Sequence, residues 1–463
     1  MKVIFSTPPY TSEAETTRIG LCIPLGLGYI CAVARERGLD VEVVDATLLK
    51  YDVKEAANAI LNKNPDFVGL GSYTATISSV YELANELKRN RPDLRIVGGG
   101  PHISALPERT LRECPAFDAV IIGEGDYAFS DYCLGKKSNG ILYRKDGKIM
   151  GDKTPAFVSN LDDLPLPARD LFDIEAYKKC SFPSYVKDPP ATNITTSRGC
   201  PFRCIYCCKI GSGGTNFRAR SAQSVVNEMK VLRDMGFKEI EIVDDNFTFD
   251  MNRTLEICKL IKEQNLHLSF SLPNGIRVDR VNESLLREMR RSGFYLLNFG
   301  LECADNEVLR RIKKGITVEQ VEKSVNLAKK VGFSVGLFII IGLPSSTPEK
   351  EEKTVDFVKR TNPDFIGVAP CPTPYPGSEL WTEVNDAFDG NDKWQYFRHS
   401  YVDKLLYRPE GLTFEQMKHY HDKLYHNFYK RPIFWLKQFV KHPFWTARRM
   451  NILFSIAKAR KFL

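Results

Sequence analysis

The sequence predicts an α/β protein: a doubly wound parallel sheet (Rossmann-like), then a partial (β/α)6 barrel, then an α-helical C-terminal region. Three observations carry this. Short β-branched runs alternate with helix-length amphipathic segments. The runs are apolar throughout rather than at every second residue, as in strands of parallel sheets covered on both faces. The alternation occurs twice, on either side of a stretch rich in turn signals. At 463 residues the chain exceeds one ordinary domain.

In residues 1–135 the expected strands are Val3–Ser6, Val41–Asp45, Phe67–Gly71, Arg95–Gly99 and Ala119–Ile122, with helices such as Gly26–Glu36, Lys54–Lys63 and Ile77–Asn90 between them. A five-stranded doubly wound sheet binds ligands beyond the carboxyl ends of its strands. Here these ends carry Pro8, Gly71-Ser72-Tyr73-Thr74, Gly98-Gly99-Gly100-Pro101-His102 and Gly123-Glu124-Gly125. Residues 136–190 read as a linker with one hairpin, Gly140–Ile149. Between 191 and 390, strands are expected at Asn193–Thr196, Glu239–Asp244, Leu268–Leu272, Leu296–Glu302, Val335–Ile341 and Phe365–Ala369. Helices follow at Ala222–Met235, Arg253–Gln264, Glu283–Ser292, Val318–Val331 and Pro348–Arg360. Six βα units in one direction fit a partial barrel, with an open doubly wound sheet as the alternative, and either gathers chemistry at the strands' carboxyl ends. Residues 391–463 read as aromatic, basic and helical.

Composition narrows the class. With 43% hydrophobic and 26% charged residues, disordered, collagenous and disulfide-scaffold chains are excluded. The start, Met1-Lys2-Val3-Ile4-Phe5, lacks the pattern of a signal peptide, and no apolar run reaches the roughly 20 residues of a membrane span, so a cytoplasmic protein is expected. The net charge is +8, of which residues 401–463 hold +9 from thirteen Lys/Arg against four Asp/Glu.

Twelve cysteines in a reducing compartment are most simply kept as thiols unless a metal takes some. Eight are scattered, often in apolar stretches where a free cysteine behaves as a small hydrophobe. Four are clustered in Ser197-Arg198-Gly199-Cys200-Pro201-Phe202-Arg203-Cys204-Ile205-Tyr206-Cys207-Cys208, just after the first strand of the second run. Cys200, Cys204 and Cys207 lie at spacings of four and three, so one looped backbone can bring three thiolates around one centre. An iron–sulfur cluster normally takes four. Three leave one iron open to a substrate or cofactor, as catalysis requires. The alternatives are a zinc site, for which no second ligand pair is present, or unrelated free thiols. Cys208 reads as a packed thiol or a fourth ligand in an inactive state.

The CxxxCxxC spacing, in this position, resembles the radical S-adenosylmethionine (SAM) superfamily. Gly99-Gly100-Pro101-His102, Gly123-Glu124-Gly125-Asp126, Leu161-Asp162-Asp163-Leu164-Pro165, Gly300-Leu301-Glu302, Ile340-Ile341-Gly342-Leu343-Pro344 and Tyr375-Pro376-Gly377-Ser378 resemble its cobalamin-binding subgroup, so the likeness covers residues 1–380. The resemblance implies that Cys200, Cys204 and Cys207 ligate a [4Fe–4S] cluster whose free iron chelates SAM, and that one-electron reduction by an external reductant cleaves SAM to a 5′-deoxyadenosyl radical. It also implies cobalamin at the first sheet. Expected cofactor-binding residues are Ser72, Tyr73, Thr74, Gly99, Gly100, Pro101, His102, Gly123, Glu124 and Gly125 for cobalamin, and Asp244, Asp245, Asn246, Arg277 and Glu302 for SAM.

Each has a plainer reading beside it. Asp244, Asp245 and Asn246 could cap the next helix; Glu302 could pair with Arg277; a lone His102 could be a hydrogen-bonded core group. The Asp-x-His-x-x-Gly signature of a lower cobalt ligand is missing, Asp45-Ala46-Thr47-Leu48 standing in its place. The expected activity is methylation of an unactivated carbon by methylcobalamin and a SAM-derived radical. Radical cyclisation, ring contraction or carbon–carbon coupling of a lipid or pigment is the enzymatic alternative, and a cobalamin or redox sensor the binding alternative. The substrate reads only as a small molecule, lipid-like compound or peptide. Fourteen aromatics beside thirteen cations in residues 401–463 suggest contact with a membrane interface, against the plainer reading that the aromatics pack on the barrel. No nucleic-acid recognition spacing is present.

Overall fold

The structure is a computed structural model and describes all residues except 10–20, 181–184, 210–212, 385–393, 395, 398–405 and 442–463. The chain forms two compact units. The first contains Met1–Ser181, Thr195–Ser224 and Thr373–Leu406, and the second Phe182–Ile194, Val225–Pro372 and Tyr407–Leu463.

The first unit is built on β1 (Lys2–Ser6), β2 (Asp40–Val44), β3 (Phe67–Gly71), β4 (Arg95–Gly99), β5 (Ala119–Ile121), β6 (Ile141–Lys145) and β7 (Lys148–Gly151), in the spatial order 2-1-3-4-5-6-7. The first five are parallel, and β6 and β7 run antiparallel at the edge. Strand period places Val3 and Phe5 in one apolar layer and Ile4 in the other. The helix Ile77–Asn90 closes the layer of Ile4 with Ile77, Val80, Leu83, Ala84 and Leu87, spaced by three and four. The expected linker is therefore partly sheet: Asp146 and Gly147, with φ of 50° and 73°, turn a hairpin whose first strand bonds β5.

The chain leaves this unit for β8 (Ala191–Ile194) and returns for a short antiparallel ribbon, β9 (Ser197–Arg198) with β10 (Arg218–Ala219). The second unit continues from β8 through β11 (Glu239–Ile242), β12 (Ser269–Ile276), β13 (Phe294–Glu302), β14 (Ser334–Ile340) and β15 (Phe365–Ala369). These six strands are parallel and lie side by side in chain order, as successive right-handed βα units require. The C-terminal helix Phe414–Tyr429 docks on β15: Met417, Leu424 and Phe428 are buried, and the Tyr429 hydroxyl donates to Ile366 O at 2.6 Å. The following helix, Pro432–Lys441, buries Phe434 but exposes Leu436, Phe439 and Val440. Among the described residues no helix is long and apolar enough to cross a membrane.

Candidate active site: the cysteine loop and the two strand-end rims

The cysteine loop belongs to the first unit. The β9/β10 ribbon closes its neck, and Cys200 N donates to Gly214 O at 3.1 Å. Gly199 and Gly213 have φ of 87° and 90°, and a side chain on Gly199 would strike the carbonyl of Asn216, so the neck requires glycine there. Ile205 is fully buried and its carbonyl accepts from Leu380 N at 2.8 Å. Cys200, Cys204 and Cys208 are half-buried and Cys207 is exposed. Outside the loop, the thiols of Cys133, Cys258 and Cys303 are buried. Burial pushes their pKa values up to about 12, away from thiolate chemistry. Among the described residues, no three His, Cys, Asp or Glu side chains are gathered into a closed metal-holding group; the three thiols share one loop.

Two arginines flank the loop, and both reach the Gly123-Glu124-Gly125 turn. Arg198 forms a bidentate pair with Asp126 at 2.9 and 3.0 Å. Arg218 grips both oxygens of Glu124 at 2.8 and 2.9 Å, and Val158 N donates to Glu124 Oε2 at 2.6 Å. Burial disfavours the Arg198 charge, but Asp126 and then Glu124 outweigh it and raise its pKa. Glu124, expected to contact cobalamin, is thus engaged by protein groups.

The rest of the first rim is backbone and small side chains. A Cβ on Gly71 or Gly99 would meet nothing within 4 Å, whereas one on Gly100, at φ 99°, would lie 2.5 Å from Ser72 O. Clearance therefore belongs to Gly99, and Gly100 permits close packing of the β3 and β4 ends. Ser72 is buried, its amide bonded to Gly99 O at 3.0 Å, while Tyr73 is 65% exposed on the rim. Pro101 opens the short helix Pro101–Ala105. His102 is buried: its Nδ1 lies 3.2 Å from Thr74 Oγ1 and its ring meets the edge of Trp394 at 4.6 Å. Burial, helped by Arg109, holds its pKa down at about 3, so the ring is neutral. Asp45, at the place of the missing lower-ligand motif, caps Ala46–Leu49 and accepts from Thr7 Oγ1 at 2.9 Å and the Tyr177 hydroxyl at 2.6 Å.

The second unit's rim is polar. Asp244 is buried and Asp245 exposed. Neither they nor Asn246 cap the following helix, because Asp250 does, accepting from Arg253 N. Asn246 is 1% exposed and, among the described residues, neither atom of its amide has a partner; Thr248, fully buried, is likewise unpartnered at Oγ1. Glu302 pairs not with Arg277 but with Lys314, at 2.6 Å. A bulge between β13 and β14 puts Glu302 at φ 64°, and a Cβ on Gly300 would lie 2.6 Å from Lys314 Nζ. Gly300 leaves the space this pair fills. Arg277 is held by Asp279 and by the carbonyls of Lys314 and Gly315.

The strand β11 falls where the sequence places one, but its carboxyls were not singled out. Its Glu-Ile-Glu-Ile alternation puts two carboxyls on one face, both buried. Glu239 accepts from the amides of Lys187 and Asp188 at 2.8 Å each and from the Tyr295 hydroxyl at 2.6 Å. Burial, then the neighbouring Glu239, raises the Glu241 carboxyl to about 8, so it is protonated at neutral pH.

These sites suit three groups. Three soft thiol donors on one constrained loop match iron–sulfur ligation, the uncontacted Cβ positions of Gly71 and Gly99 leave room for a broad flat ligand, and the unpartnered Asn246 amide offers hydrogen bonds to a polar one.

Comparison with known proteins agrees. Residues 16–132 match the B12-binding domain model and residues 194–358 the radical SAM superfamily model. The chain is 32% identical to an uncharacterized methyltransferase of Pyrococcus horikoshii over 96% of its own length and 95% of that protein's. It is 30% identical to the cytidylyl-2-hydroxyethylphosphonate methyltransferase of Streptomyces wedmorensis, covering 78% of this chain and 77% of that one. Its fold matches the radical SAM methyltransferase TsrM of Kitasatospora setae, solved with cobalamin and a [4Fe–4S] cluster, at a TM-score of 0.68 over 91% of this chain and 81% of that one, with 16% identity. A chain with this loop and these two rims belongs to the cobalamin-binding family of radical SAM enzymes, whose cofactors are a [4Fe–4S] cluster, SAM and cobalamin.

Proposed function

We propose that the protein is a cobalamin-dependent methyltransferase that acts on an unactivated carbon. The observation that carries this is that one compact unit holds both the three-thiol loop and an open glycine rim, so that both cofactor sites have the same support. When bound, the cluster and SAM supply a hydrogen-abstracting radical and cobalamin a methyl group. The chain's own residues bind and orient: Cys200, Cys204 and Cys207 hold the iron; Gly71, Tyr73 and Gly99 face the corrin; Asn246 meets polar groups of SAM, with Asp244 and Asp245 beside it. Asp45, engaged by Thr7 and Tyr177, would be a structural group of this rim rather than a contact of the corrin. Anaerobic reconstitution and mass spectrometry of SAM turnover test the reading. Methyl transfer yields both 5′-deoxyadenosine and S-adenosylhomocysteine, whereas a cyclisation or ring contraction yields 5′-deoxyadenosine alone and overturns it.

The proposed substrate is a lipid-like compound or a peptide presented at a membrane surface. Leu436, Phe439 and Val440 form an exposed apolar face at i, i+3 and i+4, and residues 430–463 carry nine Lys/Arg and no Asp/Glu. Residues 442–463 of that segment lie outside the described residues. The intact protein should sediment with anionic liposomes and Leu436→Asp/Phe439→Asp should not; equal sedimentation of both defeats the membrane reading.

A further inference from the structure

The loop that carries the cysteines enters and leaves its neck through two arginines, each anchored to the turn at the carboxyl end of β5. Arg198 stands two residues before Cys200, and Arg218 follows the loop. Their partners, Asp126 and Glu124, lie 72 and 94 residues away in sequence and are carried on the rim of the first sheet. The four side chains are nearly buried, with exposures of 14% for Arg198, 12% for Arg218, 5% for Asp126 and 9% for Glu124. Arg198 also lies 5.0 Å over the ring of Tyr29, a residue of the helix that follows β1. Arg218 Nη2 donates to Gly213 O at 2.8 Å, so the same guanidinium that holds the rim also holds the loop's neck. A fold needing only to close the neck has the β9/β10 ribbon for that purpose. Two bidentate, desolvated pairs fix the direction and spacing of the loop relative to the rim, because planar forks tolerate little rotation.

We infer that Asp126–Arg198 and Glu124–Arg218 form a clamp that sets the distance between the iron–sulfur cluster and the corrin, making all four positioning residues for methyl transfer. Their charged groups are spent on one another. Loosening the clamp leaves the ligands of both cofactors in place but lets their spacing drift, so that SAM cleavage continues while methyl transfer lags.

The test uses Asp126→Asn and Glu124→Gln, which keep shape and remove charge, and Arg198→Lys, which keeps charge and removes the fork. Circular dichroism checks that each is folded. Hydrogen exchange of the amides of residues 199–214 should accelerate about tenfold or more in the variants. Iron and cobalamin per chain should be unchanged. In the cluster-reduced protein containing cob(II)alamin, the enhancement of cobalt spin relaxation by the cluster should weaken, and the ratio of 5′-deoxyadenosine to S-adenosylhomocysteine should rise. Unchanged exchange in both acid variants overturns the clamp. Faster exchange with unchanged spin relaxation shows a fold-supporting element only, and also overturns it. The spectroscopic arm rests on the cofactor reading above and the exchange arm does not: wild type without cobalamin defeats that reading and the spacing role with it, whereas unchanged exchange in a cobalamin-loaded protein defeats the clamp alone.

Discussion

The two parallel sheets solve different problems at the same topological place, their carboxyl rims. In the first, carboxylates are spent on structure: Asp45 on Thr7 and Tyr177, Glu124 and Asp126 on arginines. What faces outward is glycine backbone and one exposed tyrosine. In the second, polar side chains sit buried without a partner among the described residues, as Asn246 and Thr248 do. A broad ligand is received by making room, and a small reactive one by groups whose cost of burial its binding relieves.

The largest effect that can test this contrast lies on the loop. Replacing Cys204 with Ala should abolish bound iron and the brown colour while leaving the melting temperature of the apoprotein unchanged; retention of stoichiometric iron, or of zinc alone in wild type, would break the assignment. Next, Lys314→Met should cost about 3–5 kcal/mol in denaturant melts, because it removes the ion-pair partner of Glu302 at 8% side-chain exposure. A comparable loss of stability should not follow Tyr73→Ala on the first sheet's glycine rim, where the side chain is exposed.

The Glu241 carboxyl gives a pH signature. Its folded-state value of about 8 is raised above the ordinary 4.5, so its contribution to stability is fully present below pH 4.5 and is lost as pH rises through about 8. Wild-type stability should fall across that window by more than that of Glu241→Gln, with a difference on the order of a few kcal/mol. Parallel curves would show that Glu241 is ionised in the fold. The smallest effects separate two adjacent glycines. Gly100→Ala should destabilise by about 1–3 kcal/mol through positive-φ strain and the clash with Ser72 O. Gly99→Phe should leave the melt unchanged and lower cobalamin content, read by absorbance. Full cobalamin loading of Gly99→Phe would move the ligand off this rim.

Much of this was legible in sequence, for identifiable reasons. The strands Phe67–Gly71, Arg95–Gly99 and Phe365–Ala369, and the helices Ile77–Asn90 and Val318–Val331, fall where local patterning places them. The strand expected at Asn193–Thr196 lies at Ala191–Ile194, its pairing with β11 starting at the residue after Pro189-Pro190. The three cysteines were legible because their chemistry is local. The clamp was not, since its pairs span 72 and 94 residues and an arginine beside a cysteine motif carries no sign of its partner. Glu302 was found as a strand-end carboxylate but given the wrong partner, because the bulge that turns it toward Lys314 leaves no mark in composition. The alternation in β11 was visible, yet strands expected to be apolar throughout drew attention away from it.

The interleaving of the units bears on how the chain is made. Trp381, Trp394 and Phe397 complete the same apolar layer as Ile4, Ile103 and Leu111, and the Trp394 indole donates to Glu113 at 2.9 Å. A ribosome releases β7, the last strand of the N-terminal sheet, some 230 residues before the first of these aromatics. Until they arrive, that flank of the sheet stands open, so folding of the first unit finishes late and the nascent chain exposes apolar surface that a chaperone must shelter. A fragment ending near residue 180 lacks the same plug, which makes it a poor surrogate for the cobalamin-binding unit in isolation.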